Sequence, residues 1–594
     1  MPLPDRPLRR LARTAGGAVL AGTAVLATTT AAPGSGPAAA PEPLRVQLLA
    51  LSDLHGNLDP VSGAAGAVSV AGGSGRPVKV QAGGLPQMAT LMDRARRGQE
   101  DSLTVGAGDL IGGSPLVSAA FHDEPTVEAL ETLGLDVTSV GHHEFDEGRA
   151  ELRRMAHGGC HPEDGCAVPG ERYDGADFPY LAANVTAQGG TGEPVLPPYW
   201  TTRLSNGERL GFIGLASRDT PSAVSAAGVR GLAFADEVQT IDRYARELDR
   251  QGVEAVVVLV HEGGARAGAA YDADCDAEGP GSALSGRIKR IAERATPKVD
   301  LIVSGHSHEP FVCEVTDPAG RQRTVTQAAS FGRTFTEVRF AVDPESGDVV
   351  RSSVSARNRI VHTDTPEQPA VRRVVEKWRD RSAELADRPV GHIAGDLPGP
   401  GASGPETPLG DLIADARVAA TRGQGARIAL LDPGGMRADL TYTAQGKEGD
   451  GVVTYGEAFQ VQPFGNRLVT MTLTGDQLLT ALRQQVSGPN TAEPVFLQPS
   501  AGLRYTVDLS RKGPDRVRAG TVRVAGEPLR PARRYRVTVN SFLADGGDGF
   551  RVFRAGADRQ TGTTDLAAFT HHLSEHSSPG RPLATPRADR VSFR

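Results

Sequence analysis

Between residue 44 and about residue 358, short unbroken apolar runs recur, and each ends in a small residue followed by polar residues. Runs of this length without alternation are typical of strands buried on both faces, as in the sheets of α/β proteins. Amphipathic stretches between the runs predict helices at Leu85–Arg97, Thr126–Leu133 and Thr240–Gln251. The pattern therefore predicts an α/β layered fold. Its strands are expected at Arg45–Leu51, Leu103–Val105, Val137–Val140, Val253–Val260 and Leu301–Val303.

A charged, helix-compatible stretch at 367–386 separates this region from a second one, which a Pro- and Gly-rich segment opens at 397–405. The chain has 594 residues, too many for one hydrophobic core, so at least two domains are expected. The second region mixes predicted strands with predicted helices and is expected to be α/β as well. The strands are Ile428–Leu431, Leu468–Leu473 and Tyr535–Val539, and the helices are Leu409–Arg422 and Asp476–Gln485. We expect boundaries of 1–43, 44–360, 361–395 (a linker helix) and 396–594.

The N-terminus has the layout of an export signal. Arginines at Arg6, Arg9, Arg10 and Arg13 precede an apolar run of small residues, and an Ala-, Pro- and Gly-rich stretch follows to about residue 43. The apolar run is too short to span a membrane comfortably. Arg9 and Arg10 leave open a twin-arginine signal, but we favour the general secretory route. The sequence therefore predicts a secreted or extracytoplasmic protein without a transmembrane segment after signal removal.

Charge and cysteine content narrow the function classes. A net charge of −7 disfavours a nucleic-acid polymer as the main partner, although a mononucleotide needs only a local cationic pocket. Four cysteines fit an oxidising destination. Of three possible pairings we favour Cys160–Cys166 with Cys275–Cys313. A zinc site made of Cys160, His161 and Cys166 is the weaker alternative, because no fourth ligand is evident.

Each of the five predicted strands ends in residue types that bind metal ions. The carboxyl ends of strands in an open α/β sheet meet at one crevice, so clusters about 250 residues apart in sequence are expected to converge. A single Asp-x-His or Gly-Asp is usually a loop or a turn, but the ordered set, with six of the fourteen histidines, favours a metal centre. Mixed Asp and His ligands suit Zn, Mn or Fe. The clusters are Asp53-Leu-His55, Gly108-Asp109, Gly141-His142-His143-Glu144, His261-Glu262 and Gly305-His306-Ser307-His308.

In this order the clusters resemble the signature of the calcineurin-like metallophosphoesterases. Nearly all of the chain after the signal is similar to their secreted 5′-nucleotidase/UDP-sugar hydrolase branch. The resemblance implies a layered β-sandwich domain with flanking helices, linked by a helix to a second α/β, substrate-binding domain. It also implies two divalent metal ions as cofactors. One ion would be held by Asp53, His55, Asp109 and His308, and the other by Asp109, His142, His261 and His306.

The same resemblance assigns the catalytic residues. His143 would donate to the developing charge or to the leaving group, and Asp146 would orient it, whereas Glu144 is interpreted as structural. His142 departs from the family, which usually has Asn at this position. A third imidazole in the second site would tilt the preference toward zinc. The alternative is that His142 points away and the second ion is weakly held; we favour ligation.

Two Gly-rich loops of the second region carry aromatic residues suited to a nucleotide base. Phe464 lies in Gln-Pro-Phe-Gly-Asn, and Phe542 lies upstream of Asp548 in a loop that contains Gly-Gly-Asp-Gly. In the family that the chain resembles, aromatics at these positions clamp the base, and Asp548 would accept hydrogen bonds from the ribose. Most Phe residues are core residues, and this remains the alternative. Their place beside glycines favours the base clamp.

The segment from Asp432 to Arg437 resembles the family's Asn-Gly-Gly-Gly-Ile-Arg turn. Arg437 would grip the phosphate with its fork of donors. Asp432 replaces the family's Asn, which weakens any inference about base preference. Arg417 and Arg422 are candidates for a second phosphate contact, but a solvated helix face is the interpretation that we favour for both.

These observations lead to one expected function and two alternatives. We expect hydrolysis of 5′-nucleotides, with nucleoside di- and triphosphates or UDP-sugars as further substrates, outside the cytoplasm. A 2′,3′-cyclic-nucleotide phosphodiesterase/3′-nucleotidase is the nearest alternative, and a catalytically silent nucleotide-binding surface protein is the second. With metals on one domain and the base pocket on the other, we also expect the domains to rotate about the linker helix.

Overall fold

A computed structural model describes residues 42–594 except 64, 73–75, 163, 191, 269 and 401. The predicted export signal, with Arg6, Arg9, Arg10 and Arg13, lies outside the described residues. No helix among the residues that the structure describes is long and apolar enough to cross a membrane.

Two six-stranded sheets face each other in the first part of the chain, and each of the five predicted strands overlaps one of their strands. One sheet has the strand order Val349–Ile360, Thr334–Val342, Leu44–Leu51, Asp101–Ala107, Val137–Ser139 and Tyr180–Leu181. The other has the order Phe311–Thr316, Gln322–Gln327, Leu301–Ser304, Ala255–His261, Arg209–Ala216 and Tyr199–Arg203.

Helices cover both outer faces of this sandwich, which explains why its central strands are apolar without alternation. In the first strand, Leu48 and Ala50 face the opposite sheet, and Leu49 and Leu51 face a core that is shared with helices. All four are nearly inaccessible to solvent. The predicted β-sandwich with flanking helices is confirmed. The main covering helices are Leu85–Arg96, Glu124–Leu133, Glu237–Arg250 and Arg287–Arg294.

The predicted linker is a helix, Pro369–Ala386, and it packs on the first sandwich. The side chain of Gln368 caps it by accepting hydrogen bonds from the backbone N–H groups of residues 370 and 371. Val371 and Val375 enter the core beneath the first sheet. The indole N–H of Trp378 donates to Glu128 at 2.7 Å. The helix is thus anchored to the first domain at several points along its length.

The second region contains a five-stranded mixed sheet with helices on both sides, which confirms the expected α/β class. The sheet order is Gln498–Pro499, Ile428–Leu431, Arg534–Asn540, Arg467–Thr474 and Ala557–Thr564. Its main helices are Pro408–Thr421, Gly475–Gln484 and Asp565–His576. A smaller sheet has the order Glu527–Pro528, Arg523–Val524, Leu503–Val507 and Val591–Phe593. The domain boundaries given above stay predictions.

Shorter elements connect these layers. The strands are Ala67–Val70, Val78–Gln81, Val185–Ala187, Leu232–Phe234, Gly264–Arg266, Leu284–Gly286, Pro389–His392 and Val452–Thr454. The α-helices are Leu116–Ala119, Gly148–His157, Thr220–Ala223, Tyr455–Val461 and Ser541–Ala544. The 3₁₀ turns are His143–Phe145, Arg422–Gln424, Pro433–Gly435, Gly488–Thr491, Gly513–Arg516, Ala519–Thr521, Gly547–Gly549 and Arg551–Ala555.

Both favoured disulfides, Cys160–Cys166 and Cys275–Cys313, are present. The alternative of a zinc site with thiolate ligands is therefore wrong, because neither Cys160 nor Cys166 keeps a free thiol.

A buried ion-pair network fastens the C-terminal strand to the second domain. The guanidinium of Arg590 lies 3.1 Å from the Asp411 carboxylate and 2.7 Å from that of Asp415. It also donates to the backbone oxygens of residues 411 and 499. Asp411 is fully buried, and burial raises its pKa to about 8.

At pH 9, where Asp411 is ionised, replacing Arg590 with alanine is expected to lower the free energy of unfolding by about 3–5 kcal/mol, because the buried Asp411 then loses its cation. Urea denaturation followed by circular dichroism measures the change. Arg504→Ala is the matched control, since Arg504 and its partner Asp589 are exposed, and it should cost less than about 1 kcal/mol. Equal losses of unfolding free energy in both variants would show that the buried network stabilises the fold no more than an exposed ion pair does.

Candidate metal centre and substrate cavity

The seven predicted metal ligands converge at one edge of the sandwich. The strands that precede them run parallel within each sheet, so their carboxyl ends open at the same side. Each ligand cluster lies within a few residues after the end of a strand. His261 is the exception, because it is the last residue of the strand Ala255–His261. The sequence-predicted set is therefore brought together in full: Asp53, His55, Asp109, His142, His261, His306 and His308.

Asp109 lies at the centre of the set. Its Oδ2 is 3.0 Å from His261 Nε2, 3.1 Å from His142 Nδ1 and 3.9 Å from His55 Nε2. Burial alone would raise the pKa of Asp109, but the neighbouring His142 and His261 bring that pKa well below its ordinary value. A carboxylate with imidazoles on two sides has the geometry of a bridging ligand.

Two triads flank this carboxylate, each with ligand atoms within 4.8 Å of one another: Asp53 with His55 and His308, and His142 with His261 and His306. In the first triad, His308 Nε2 lies 3.1 Å from His55 Nε2 and 3.6 Å from Asp53 Oδ1. A zinc ion with bonds of about 2.1 Å holds neighbouring ligand atoms about 3.4 Å apart. The residues present therefore fit one ion on each side of Asp109.

Unpaired polar atoms support this fit. Among the described residues, the buried Oδ2 of Asp53 and Nδ1 of His306 have no hydrogen-bond partner. The far ring nitrogens of two other ligands are already occupied: Nδ1 of His55 faces the Gly112 carbonyl at 2.9 Å, and Nδ1 of His261 faces the Ala107 carbonyl at 2.8 Å. Such contacts fix the proton on Nδ1 and leave Nε2 free to bind an ion.

Most of the predicted ligands also have a strained backbone. Left-handed φ values, which non-glycine residues rarely adopt, tend to persist where function requires them. Five of the seven predicted ligands have them, with φ of 51° at Asp53, 47° at His55, 49° at Asp109, 80° at His306 and 61° at His308.

His142, the residue that departs from the family pattern, points into the cluster. Its Nδ1 faces both Asp109 and, at 3.3 Å, His261 Nε2. Its ring also lies edge-on to that of His306, with centroids 5.0 Å apart. The position suits a ligand nitrogen, and ligation by His142 stays our prediction.

His143 lies beside the cluster with Asp146 behind it. Nδ1 of His143 is 2.7 Å from an Asp146 carboxylate oxygen, so Nε2 is the atom left for a substrate. Burial opposes the charged imidazole, but Asp146 and Asp109 outweigh burial and raise the pKa of His143. Glu144 accepts the backbone N–H groups of Asp109, Leu110 and Gly141, which joins two ligand loops.

A cavity of about 300 Å³ extends from this cluster to the second domain. His142, His143 and His306 line one side of it, and the second domain lines the other. The Phe464 ring lies nearly parallel to that of His143, at 9° and 5.4 Å between centroids. All five residues that the sequence assigns to the substrate line the cavity, namely Asp432, Arg437, Phe464, Phe542 and Asp548.

Arg437 supplies the positive charge of the cavity. Its guanidinium lies 5.8 Å from the ring centroid of Phe464 and 5.9 Å from that of Phe331. Burial lowers the pKa of Arg437, although Asp109 and Asp146 oppose this. Within the described part of the chain, its buried Nε and Nη2 atoms have no hydrogen-bond partner. Two orphaned donors of one guanidinium suit an anion such as phosphate.

Phe542 and Asp548 form the far end of the cavity. A Cβ at residue 547 would come within 2.4 Å of the Phe542 ring, so Gly547 lets the ring lie against the loop. Phe464 and Phe542 are both half-buried, and Phe542 also packs against the hydrophobic core of the second domain. Burial, followed by repulsion from Asp432, raises the pKa of Asp548 to about 8.

The structure corrects the expectation for Arg417 and places one further residue, Phe331, beside the predicted metal ligands. Arg417 is not on a solvated face: it is 1% exposed and donates to the Leu430 carbonyl at 3.0 Å. Arg422 is exposed, as expected. Phe331 was not singled out from the sequence, which gives no signal for it beyond an adjacent glycine. Its ring lies 5.8 Å from His55 and 5.4 Å from His308.

Comparison with known proteins agrees with this geometry. Residues 46–310 match the calcineurin-like phosphoesterase family, and residues 389–555 match the 5′-nucleotidase C-terminal domain. The chain belongs to the family that joins these two domains. This family consists of hydrolases of phosphoric esters, and its calcineurin-like members depend on metal ions.

Relatives of this two-domain phosphoesterase family cover most of the chain. The endonuclease YhcR of Bacillus subtilis (strain 168) is 31% identical over 90% of the chain, which spans 40% of that protein. The cell wall protein Lmo0130 of Listeria monocytogenes is 29% identical over 94% of the chain and 70% of that protein. The crystal structure of a 5′-nucleotidase precursor from Thermus thermophilus is 26% identical, with a TM-score of 0.71 over 93% of this chain and 99% of that one.

Asp109→Ala is expected to lower the zinc bound per chain by two ions, because Asp109 is the one predicted ligand shared by both positions. His308→Ala should lower it by one. Elemental analysis after dialysis at a fixed free zinc concentration measures both losses. Asp93→Ala, an exposed carboxylate on a neighbouring helix, is the control. Unchanged zinc in a folded Asp109→Ala variant would contradict the bridging role.

Proposed function

We propose that the protein hydrolyses the phosphate of 5′-nucleotides with two divalent metal ions. One observation carries the proposal: a single cavity joins the cluster of predicted metal ligands to a cation with unpaired donors, two aromatic rings and a carboxylate. Those groups match, in order, the phosphate, the base and the ribose of a nucleotide. Activity on UDP-sugars or on nucleoside di- and triphosphates is compatible with the same arrangement.

Each group has one task in this proposal. The ions, when bound, neutralise the charge on the phosphoryl group and activate the attacking water. Arg437 holds the phosphate with its two unpaired donors. His143, positioned by Asp146, gives a proton from Nε2 to the leaving oxygen. Phe464 and Phe542 stack on the base, and Asp548 accepts hydrogen bonds from the ribose.

The identity of the metal ions and the location of the protein outside the cytoplasm are part of the same proposal. Two ions bound by five histidines and two aspartates favour zinc or manganese, with iron as the third choice. Two disulfides fit an oxidising destination, so we propose action outside the cytoplasm. Because Phe464 of the second domain lies against His143 of the first, the substrate bridges the two domains. Rotation about the helix Pro369–Ala386 would open the cavity for exchange.

Phosphate release from 5′-AMP is expected and should stop when a chelator removes the ions. His143→Ala should lower kcat by about 10²–10⁴-fold while zinc binding persists, because the proton donor is lost and the ligands are not. Asp146→Asn should give a smaller loss in kcat. His157→Ala, an exposed histidine on the following helix, is the matched control and should leave kcat unchanged.

The substrate profile decides between the alternatives. Turnover of 2′,3′-cyclic AMP without 5′-AMP would make the protein a cyclic-nucleotide phosphodiesterase. Cleavage of single-stranded DNA in preference to either would make it a nuclease, the activity for which the B. subtilis relative is named. Bound metal and bound nucleotide without turnover would make it a silent binding protein.

Adenosine, which lacks the phosphate, should bind more tightly as pH rises. The pKa of Asp548 is raised to about 8, so this group is mostly protonated at pH 6.5 and ionised at pH 9. The ionised carboxylate accepts hydrogen bonds from the ribose hydroxyls better than the protonated acid does. The affinity for adenosine is therefore highest above pH 8 and falls below it, by at most about tenfold per pH unit. Calorimetry at both pH values measures the change. Asp548→Asn should bind with little pH dependence; an equal dependence in that variant would contradict the assignment.

A further inference from the structure

A buried amide, the side chain of Gln327, lies behind the loop that carries two of the predicted metal ligands. This loop contains His306 and His308, with Ser307 between them. Gln327 ends a strand that pairs with Leu301–Ser304, the strand that leads into the loop. Gln327 is fully buried, and it does not line the substrate cavity. It is thus close to the ligands without access to a substrate.

The amide of Gln327 contacts the residues on both sides of His308. Its Nε2 donates to the hydroxyl of Ser307 at 2.8 Å and to the backbone carbonyl of Glu309 at 2.9 Å. Both N–H bonds of the amide are therefore used, and its Oε1 lies 3.1 Å from the same hydroxyl. A backbone carbonyl only accepts hydrogen bonds, so an ionised carboxylate at residue 327 could not hold Glu309. The backbone that carries His308 is thus fixed before and after that residue.

This loop needs such support because its backbone is strained. His306 and His308 have left-handed φ values of 80° and 61°. Non-glycine residues persist in this region only where neighbouring contacts hold them. His306 has its own contact, because its backbone N–H donates to Asp53 Oδ1 at 2.8 Å. For His308, the hydrogen bonds from Gln327 to the two neighbouring residues supply the support.

Ser307 extends the same network to the loop that follows His261. A Cβ at Gly263 would lie 2.8 Å from the Cβ of Ser307, so the glycine lets the two loops lie against each other. Gln327 itself is tied to the sheet, because its backbone carbonyl accepts a side-chain N–H of Asn358 at 3.0 Å. The network therefore joins the loop to the sheet on one side and to a second ligand loop on the other.

We propose that Gln327 is a positioning residue for one of the two metal ions. It sets the affinity of the position formed by Asp53, His55 and His308. The inference rests on the proposed function, which places two ions in the cluster. Gln327 acts through the two neighbours of His308 and not as a ligand. Removing a side chain that holds a metal ligand in place typically weakens metal binding by about 10–100-fold.

A purely structural role for Gln327 is the competing explanation. Such a role would lower the stability of the whole domain and weaken both metal positions alike. The positioning role predicts an unequal effect on the two positions. The reason is that His306, which belongs to the other position, keeps its own hydrogen bond to Asp53.

Zinc affinities of the purified mature protein test the proposal. Competition with a chromophoric chelator measures the two dissociation constants in wild type and in Gln327→Met, which keeps the side-chain length but has no amide. We expect one constant to rise about 10–100-fold and the other to change less than about threefold. Gln322→Met is the matched control, since Gln322 is exposed at the other end of the same strand, and should change neither constant.

A second background shows which ion is affected. His308→Ala is expected to keep only the other ion, and adding Gln327→Met should not weaken that ion further. Ser307→Ala, a smaller change that removes one of the two acceptors of the amide, should weaken the same ion as Gln327→Met but by less. It carries the test if Gln327→Met does not fold.

Three results would overturn the positioning role of Gln327. They are equal weakening of both ions, further weakening in the His308→Ala background, and unchanged constants in Gln327→Met and Ser307→Ala. A wild-type protein that binds no zinc would contradict this proposal together with the proposed function. Two bound ions without phosphate release from 5′-AMP would contradict the proposed function alone.

Discussion

The candidate metal centre depends on two fully buried carboxylates, Asp53 and Asp109, for which no Lys or Arg side chain within the described residues forms an ion pair. Burying such charges costs several kcal/mol each unless cations compensate them. The surrounding groups are imidazoles, and in two of them, His55 and His261, a backbone carbonyl behind the ring aims a lone pair inward. In the proposed function, metal ions between the carboxylates and the imidazoles compensate this charge.

The sheets and the second domain position the other side chains of the site around these two carboxylates. Parallel strands in both sheets bring the ligand loops to one edge, and Glu144 ties two of these loops together. The second domain then closes over the same edge, with Phe464 on His143 and Arg437 nearby. The predicted metal ligands and the aromatic residues predicted to bind the base thus belong to different domains, and one cavity is lined by residues of both.

The sequence predicted the central strands and the convergence of the candidate metal ligands because both depend on local signals: unbroken apolar runs, and ligand types directly after them. Strands Thr334–Val342 and Val349–Ile360 were not foreseen, because the second is half-exposed and carries polar residues on its open face. The helix Tyr455–Val461, with its capping box at Thr454, was also overlooked. Arg417 was misjudged because a charged residue on a helix is normally solvated, whereas here it is enclosed between the helix and the sheet. Contacts between domains, such as that of Phe464 with His143, depend on domain placement, which no local pattern encodes.

The central claim is that one nucleotide is bound by both domains at once. Diffraction from crystals grown with Mn²⁺ and a non-hydrolysable 5′-nucleotide analogue tests it most directly. The account predicts two anomalous peaks about 3.5–4 Å apart on either side of Asp109, with the phosphate between them and Arg437 and the base between Phe464 and Phe542. A single peak, or a base bound away from both rings while the phosphate is at the metals, would contradict it.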